Sequence, residues 1–287
     1  MVVGDSISQG HEGDFTWRYR LWQHLDDGAQ ATFTGPTTAA HDIYTDASDA
    51  DYRVPASQWD SHHDALWGRK LSQEMDTIGQ EITAASPRPD ILLVELGAND
   101  LYPGGTPDAA IADMATFVAN VRAVAPTMTL FLGSVPGRTP LADYPGIADR
   151  VAAYNTDLSQ FVTANTTTQS PLFDVDLTAG WDPTQDTQDG LHPNEIGDWL
   201  LARDFGNALA GDVGVGSTFA AKPPTDLPTL PQTTPTLSII SGLGTGAPVL
   251  SWTHSYGADS YRIYARDVTA GTPLQPLPYP LEADSWT

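Results

Sequence analysis

Cysteine is absent from this 287-residue chain, which excludes disulfides, thiolate metal sites and a cysteine nucleophile. Basic residues are scarce: 13 Lys and Arg stand against 36 Asp and Glu, for a formal net charge of −23. Such an acidic excess repels phosphate backbones and anionic lipid surfaces, so no nucleic-acid partner is expected. No apolar run reaches the ~18 residues that would suggest a membrane span, and no signal peptide is visible at the N-terminus. Neither Gly-x-Gly-x-x-Gly nor Gly-Lys-Ser/Thr occurs, so Gly4 and Gly10 do not make a phosphate loop and no nucleotide cofactor is expected.

What remains is ample for a globular protein. Hydrophobic residues at 40% allow a sizeable core, and the length allows one large domain with a small one. Continuous apolar runs at residues 90–97, 129–133 and 172–175 read as strands buried on both faces, and Ala31–Gly35 as a plausible second strand. Leu71, Met75, Ile78 and Ile82 repeat at helical spacing, as do Ile111, Met114, Val118 and Val121. Further helices are expected near residues 15–27, 145–164 and 194–210. Strand and helix alternate, which predicts an α/β class with a three-layer α/β/α doubly wound parallel sheet. Only three residues precede Gly4, so the first strand is read as cut short.

Three short motifs carry the chemistry. Gly4-Asp5-Ser6-Ile7-Ser8 follows the apolar Met1-Val2-Val3, Gly97-Ala98-Asn99-Asp100 follows the run at 90–97, and Asp189-Gly190-Leu191-His192-Pro193 comes near the end of the first two hundred residues. A serine hydroxyl is a poor nucleophile at neutral pH. It needs a histidine to take its proton, a carboxylate to fix that histidine's tautomer, and donors for the oxyanion. All of these residue types are present, and Ser6 and Asn99 fall just past the carboxyl ends of strands, where such sheets place ligand crevices. Taken alone, Ser6 could cap a helix. Asp5 reads as a turn residue and Asp100 as structural.

Together the three motifs resemble the blocks of the SGNH hydrolases, the GDSL esterase/lipase family, over residues 1–212. The resemblance implies Ser6 as nucleophile, His192 as base, Asp189 as its partner and Asn99 as a side-chain oxyanion donor, on a flavodoxin-like sheet. The family's second block offers a glycine backbone N–H to the oxyanion. Its best match here is Gly68 in Ala65-Leu66-Trp67-Gly68-Arg69, without the asparagine that often accompanies it.

Other clusters invite blander readings. Asp60-Ser61-His62-His63-Asp64 lacks the i, i+4 histidine pair of a zinc helix and reads as a solvated loop. Asp182, Asp186 and Asp189 do not follow the alternate-residue spacing of a calcium loop, so no metal is expected. Trp17, Tyr44, Tyr52, Trp59, Trp67, Tyr102 and Trp181 surround the motif-bearing loops; packing is the role expected of most, although aromatic rings also pack on sugars.

Composition changes after Gly211. Residues 213–236, rich in Pro and Gly, read as a semi-rigid linker. Residues 237–287 resemble an incomplete fibronectin type III domain, a partial β-sandwich with strands at 249–253 and 260–265 and Trp252 as the buried tryptophan. Low lysine content, many Thr and Pro residues and this appendage point to a secreted protein. The expected activity is hydrolysis of carboxylic esters, above all acetyl esters on carbohydrate, with a small-molecule or polysaccharide ester as partner. A lipase, phospholipase or arylesterase is the alternative, and a non-enzymatic binding protein on a retired hydrolase fold is the third reading.

Overall fold

Side chains alternate across a strand, so two apolar faces need two apolar layers to cover them. Val3, Leu92, Val94, Leu130 and Leu132 point one way and Val2, Leu93, Phe131 and Val175 the other, each set into its own buried cluster. This is a computed structural model, and it describes residues 1–26, 31–102, 104–141, 144–223, 234–240, 249–258, 260–277, 281 and 285–286.

In chain order the elements of the main body are β1 (Val2–Gly4), α1 (Ser6–Gln9), α2 (Trp17–Asp26), β2 (Ala40–Asp42), β3 (Ala47–Ala50), β4 (Asp64–Ala65), α3 (Leu71–Ala84), β5 (Ile91–Glu95), α4 (Pro107–Val124), β6 (Thr129–Gly133), α5 (Ile147–Asn165), β7 (Leu172–Val175) and α6 (Glu195–Ala208). Five strands form a parallel sheet in the order β4-β1-β5-β6-β7. Helices α3, α4 and α5 cover one face through Leu71, Ile78, Phe117, Val121, Tyr154 and Leu158; α2 and α6 cover the other through Trp17, Leu21, Leu201 and Phe205. The doubly wound α/β/α class is therefore observed. From β1 the chain goes first to β4 on one side and then to β5 on the other, and this switch opens a crevice at the carboxyl ends of β1 and β5.

Two expectations are corrected. Residues 31–35 form no strand; the sheet edge is β4, pairing Asp64 and Ala65 with Val3 and Gly4. The 31–35 segment is held instead by side chains: Phe33 N–H donates to Asp60 Oδ2 at 2.8 Å, and the Thr34 hydroxyl to the Pro87 carbonyl at 3.0 Å. Its apolar Phe33 joins the core beside α2 and α6 without a ladder. Residues 60–64, read as a solvated loop, are mostly interior, with Ser61, His63 and Asp64 buried and His62 exposed. Polar residues can lie there because partners are supplied: Arg18 Nη1 donates to the Ser61 carbonyl, Tyr52 meets His63 Nε2, and Arg69 pairs with Asp64 at 2.7 Å.

Beyond the body, β8 (Leu237–Ile240), β9 (Val249–Trp252), β10 (Tyr264–Ala265), β11 (Gln275–Pro276) and β12 (Ser285–Trp286) make small antiparallel sheets, one in the order β12-β9-β8 and one pairing β10 with β11. Trp252 is buried, whereas the strand expected over 260–265 is reduced to Tyr264–Ala265; Asp259 lies outside the described residues, as does the linker between 224 and 233. Phe219 folds back onto the body, stacking on His24 at 3.8 Å and meeting Trp199 edge-on. The tail touches the body through His254 Nε2 and Glu12 Oε2 at 2.6 Å and through the Tyr44 and Tyr261 hydroxyls at 2.9 Å.

Candidate active site

The nucleophile motif is a strand-to-helix turn with no room to spare. A Cβ at Gly4 would lie 2.4 Å from the Ser8 side chain, so glycine is required where β1 ends. Asp5 caps the short α1, its Oδ1 accepting the Ile7 N–H at 3.0 Å, and Ser6 opens that helix at the mouth of the crevice. Behind the turn, the fully buried Arg18 donates from Nε to the Ser8 carbonyl at 2.7 Å and from Nη2 to the Gln9 carbonyl at 3.3 Å. A guanidinium with fixed acceptors holds a backbone firmly, because its planar fork leaves few alternatives.

His192 arrives from the far side of the sheet, on the loop between β7 and α6. That loop is closed locally: Asp189 Oδ1 accepts the N–H groups of Leu191 and His192, each at 2.8 Å, and Asn194 Oδ1 caps α6 at the Ile196 and Gly197 N–H groups. The second Asp189 oxygen lies 2.7 Å from His192 Nδ1, and His192 Nε2 lies 2.9 Å from Ser6 Oγ. With Nδ1–H donated to the carboxylate, Nε2 is left to accept the serine proton. Burial would push the Asp189 carboxyl up, but the hydrogen bond and charge of His192 and the two backbone N–H groups outweigh it and hold Asp189 well below the usual carboxylate range.

Asn99 is bonded to Asp5, the neighbour of Ser6, and the turn that holds Gly68 is tied to the end of β1. Asn99 Nδ2 donates to Asp5 Oδ2 and to the Arg69 carbonyl, each at 3.1 Å. Gly68 is exposed with φ +72°, and open space surrounds the position a Cβ would take, so conformation and not crowding favours glycine. Its turn is pinned on all sides: Leu66 N–H donates to the Gly4 carbonyl, Trp67 N–H to Gln9 Oε1, and Arg69 Nη1 bridges Asp64 and Glu74 at 2.7 Å each. Among the described residues, Gly68 N–H has no protein acceptor. Asp100 is structural, as expected, but it caps a distant helix: its carboxylate accepts the Leu71 and Ser72 N–H groups at the start of α3.

Two contributors escape a reading of the sequence. Trp67 stacks on His192 with ring centroids 4.5 Å apart and on His41, also at 4.5 Å, so one indole contacts two imidazoles. Asp5, read as a turn residue, also binds Asn99. The remaining aromatics are mainly packing: Trp17, Tyr52 and Trp59 are buried. His62 pairs with Asp60 at 2.7 Å, while His63 turns into the interior, where burial pushes its imidazole well down. Among the described residues no three His, Asp or Glu side chains converge as a metal site would require.

A family model described as the GDSL-like Lipase/Acylhydrolase family matches residues 2–200. No curated protein shows a detectable sequence match. Among solved structures, the chain is similar to an acetyl esterase mutant with acetate ion (TM-score 0.59, 22% identity, covering 73% of this chain and 94% of that one). It is also similar to a carbohydrate esterase family 3 protein from Talaromyces cellulolyticus (0.59, 23%, 73% and 94%) and to a family 3 carbohydrate esterase from Clostridium thermocellum (0.53, 23%, 74% and 98%). These likenesses share the three-layer fold described above. Matched over well more than half its length, the chain belongs to the GDSL-like lipase/acylhydrolase family and is a carboxylic ester hydrolase.

Proposed function

We propose that the protein is a serine esterase that removes short acyl groups, above all acetyl, from carbohydrate. The observation that carries the catalytic reading is the unbroken chain from Ser6 Oγ through His192 to Asp189, with contacts of 2.9 and 2.7 Å. Ser6 attacks the ester carbonyl as His192 Nε2 takes its proton, and the tetrahedral oxyanion is met by the N–H groups of Ser6 and Gly68 and by Asn99 Nδ2. One Asn99 N–H stays on Asp5; the other, on the Arg69 carbonyl in the free site, turns to the substrate oxygen. His192 then protonates the departing alcohol and activates the water that frees the acid. Asp189 fixes the tautomer and stabilises the imidazolium.

The substrate reading is supported separately. The fold neighbours include an acetyl esterase and two carbohydrate esterases, and the low-lysine composition suits work outside the cell. Trp67, stacked on the His192 ring, is an aromatic surface next to the base of the kind that packs on sugars. The test is a series of p-nitrophenyl esters together with acetylated xylan or pectin. Each methylene accommodated by a matching pocket adds about 0.8 kcal/mol, so a lipase would gain steeply with acyl length. Efficiency should peak at acetyl or butyryl and fall by octanoyl, with acetate released from the polymers. A maximum at dodecanoyl without acetate release would make the enzyme a lipase.

A further inference from the structure

Two acids meet under the nucleophile turn. Glu95 ends β5 opposite Gly4, Asp5 follows Gly4, and both are fully buried. Each Asp5 oxygen accepts from a defined donor, Oδ1 from Ile7 N–H at 3.0 Å and Oδ2 from Asn99 Nδ2 at 3.1 Å. Glu95 Oε2 accepts the Ser8 hydroxyl at 2.9 Å, and that hydroxyl in turn accepts Trp17 Nε1–H at 3.3 Å. Glu95 Oε1 is buried and finds no donor among these groups, and after burial itself the charge of Asp5 is what weighs most on the Glu95 carboxyl. Two buried carboxyl groups that weigh on one another in this way do not both ionise, so one proton stays with the pair.

We propose that Asp5 and Glu95 are positioning residues, a proton-sharing carboxyl pair that orients the Asn99 amide so that its N–H and not its C=O faces the reacting carbonyl. The proposal rests on the reading of Asn99 as an oxyanion donor. The two ends of an amide are close to isosteric, and an acceptor-only neighbour selects between them. Ionised Asp5 is such a neighbour. Burial pushes Asp5 up to about 6, against the opposing pull of Ile7 N–H and of the His192 charge, while Asp100 pushes it further up. Burial, reinforced by the charge of Asp5, pushes Glu95 well above the ordinary range, so the shared proton resides on Glu95 and Asp5 keeps its acceptors. With one N–H fixed on Asp5 the amide keeps its donor end toward the site, and only the bond to the Arg69 carbonyl is exchanged for one to the substrate oxygen.

Turnover of p-nitrophenyl acetate by Asp5→Asn, Asn99→Ala and the double variant tests this, with folding checked by thermal melting. An asparagine at position 5 offers one oxygen to two donors and sets its own N–H₂ against one of them. Asp5→Asn should lose kcat on the order of a hundredfold with KM little changed, and Asn99→Ala about a hundred- to a thousandfold. The double variant should be no slower than Asn99→Ala, because both changes remove one interaction. A fast Asp5→Asn enzyme beside a slow Asn99→Ala enzyme, a loss expressed in KM, or losses that multiply would each overturn the proposal. A fast Asn99→Ala enzyme would remove the oxyanion reading and the proposal with it. If Asp5→Asn does not fold, Glu95 decides: Glu95→Leu should be slow, and Glu95→Gln, whose amide can donate to Asp5 and still accept from Ser8, should recover most of the turnover. Equal slowness of the two would overturn the pair.

Discussion

The loop carrying Asp189 and His192 and the segment beyond residue 234 are both short of regular structure, yet their side chains are used in opposite ways. In the loop, Asp189 alone takes three hydrogen bonds, and Thr187, Gln188 and Asn194 close the turn onto itself. In the tail, Leu237, Ile239, Tyr264, Val268 and Leu274 are exposed, Val268 at 75%, and of its described large apolar side chains only Trp252 is buried. Irregular backbone becomes precise where a packed sheet and a capped helix fix both its ends. Strands alone do not achieve this when the layer that should cover them is thin.

The comparison makes the loop the place where small changes cost activity and the tail the place where they cost little. The largest effect is expected at Ser6. Ser6→Ala should cut turnover by up to about a millionfold while leaving the melting temperature nearly unchanged, since only one oxygen is removed. Asp189→Asn should follow at about ten-thousandfold, because the imidazole would present the wrong tautomer to Ser6. Kinetics on p-nitrophenyl acetate, read beside a thermal melt, check both. Near-normal turnover in either variant would remove the catalytic assignment from this loop.

The pH dependence of stability sharpens the contrast, because the buried acids lie in the body. Burial raises Asp5 to about 6, and burial with the neighbouring Asp64 charge raises Glu74 to about 8. Both would titrate near 4 in the unfolded chain. Between those limits the folded state holds more protons than the unfolded one, so their contribution is fully present below pH ~4 and is lost as pH rises through 6 and then 8. Asp189 has the opposite sign: its depressed folded value favours folding above the ordinary carboxylate range and loses that effect only in strong acid. Melting in high salt, which screens the acidic surface, should show a lower midpoint at pH 9 than at pH 5.5. A midpoint that rises over that interval would show that these acids are ionised in the folded protein.

Beyond α6, where Phe219 packs on the body and His254 reaches it from the tail, the expected effects are smaller. Phe219→Ala removes a ring packed on His24 and Trp199 and should lower stability by about 1–2 kcal/mol. His254→Ala removes a contact with Glu12 that is about a third exposed on its histidine side and should change stability by less than about 1 kcal/mol. Neither should alter kcat on a soluble ester. A clear loss of turnover in His254→Ala would break the comparison, placing the tail in functional contact with the Gly10–Asp14 loop beside the crevice.

Periodicity and three motifs determined much of this protein directly. Apolar runs buried on both faces require a parallel sheet between two helical layers, and the helices near 15–27, 145–164 and 194–210 are found as α2, α5 and α6 within a few residues. The spacing of Asp189 and His192 was also legible, because a three-residue turn is a local object whose carboxylate reaches its own backbone. Tertiary structure decided what depends on partners far away in sequence. The 31–35 segment carries a strand-like pattern but loses the edge to β4, whose Asp64 is paired by Arg69. His63 is buried because Tyr52 and the Ala39 carbonyl receive it, and Asp100 caps α3 rather than its own turn. Asp5 reads as a turn residue until Glu95 and Asn99 are brought against it from β5 and the loop beyond. A residue's type and neighbours in sequence set what it can bond to; only the packing of remote elements sets which partner is there and whether water is excluded from the bond.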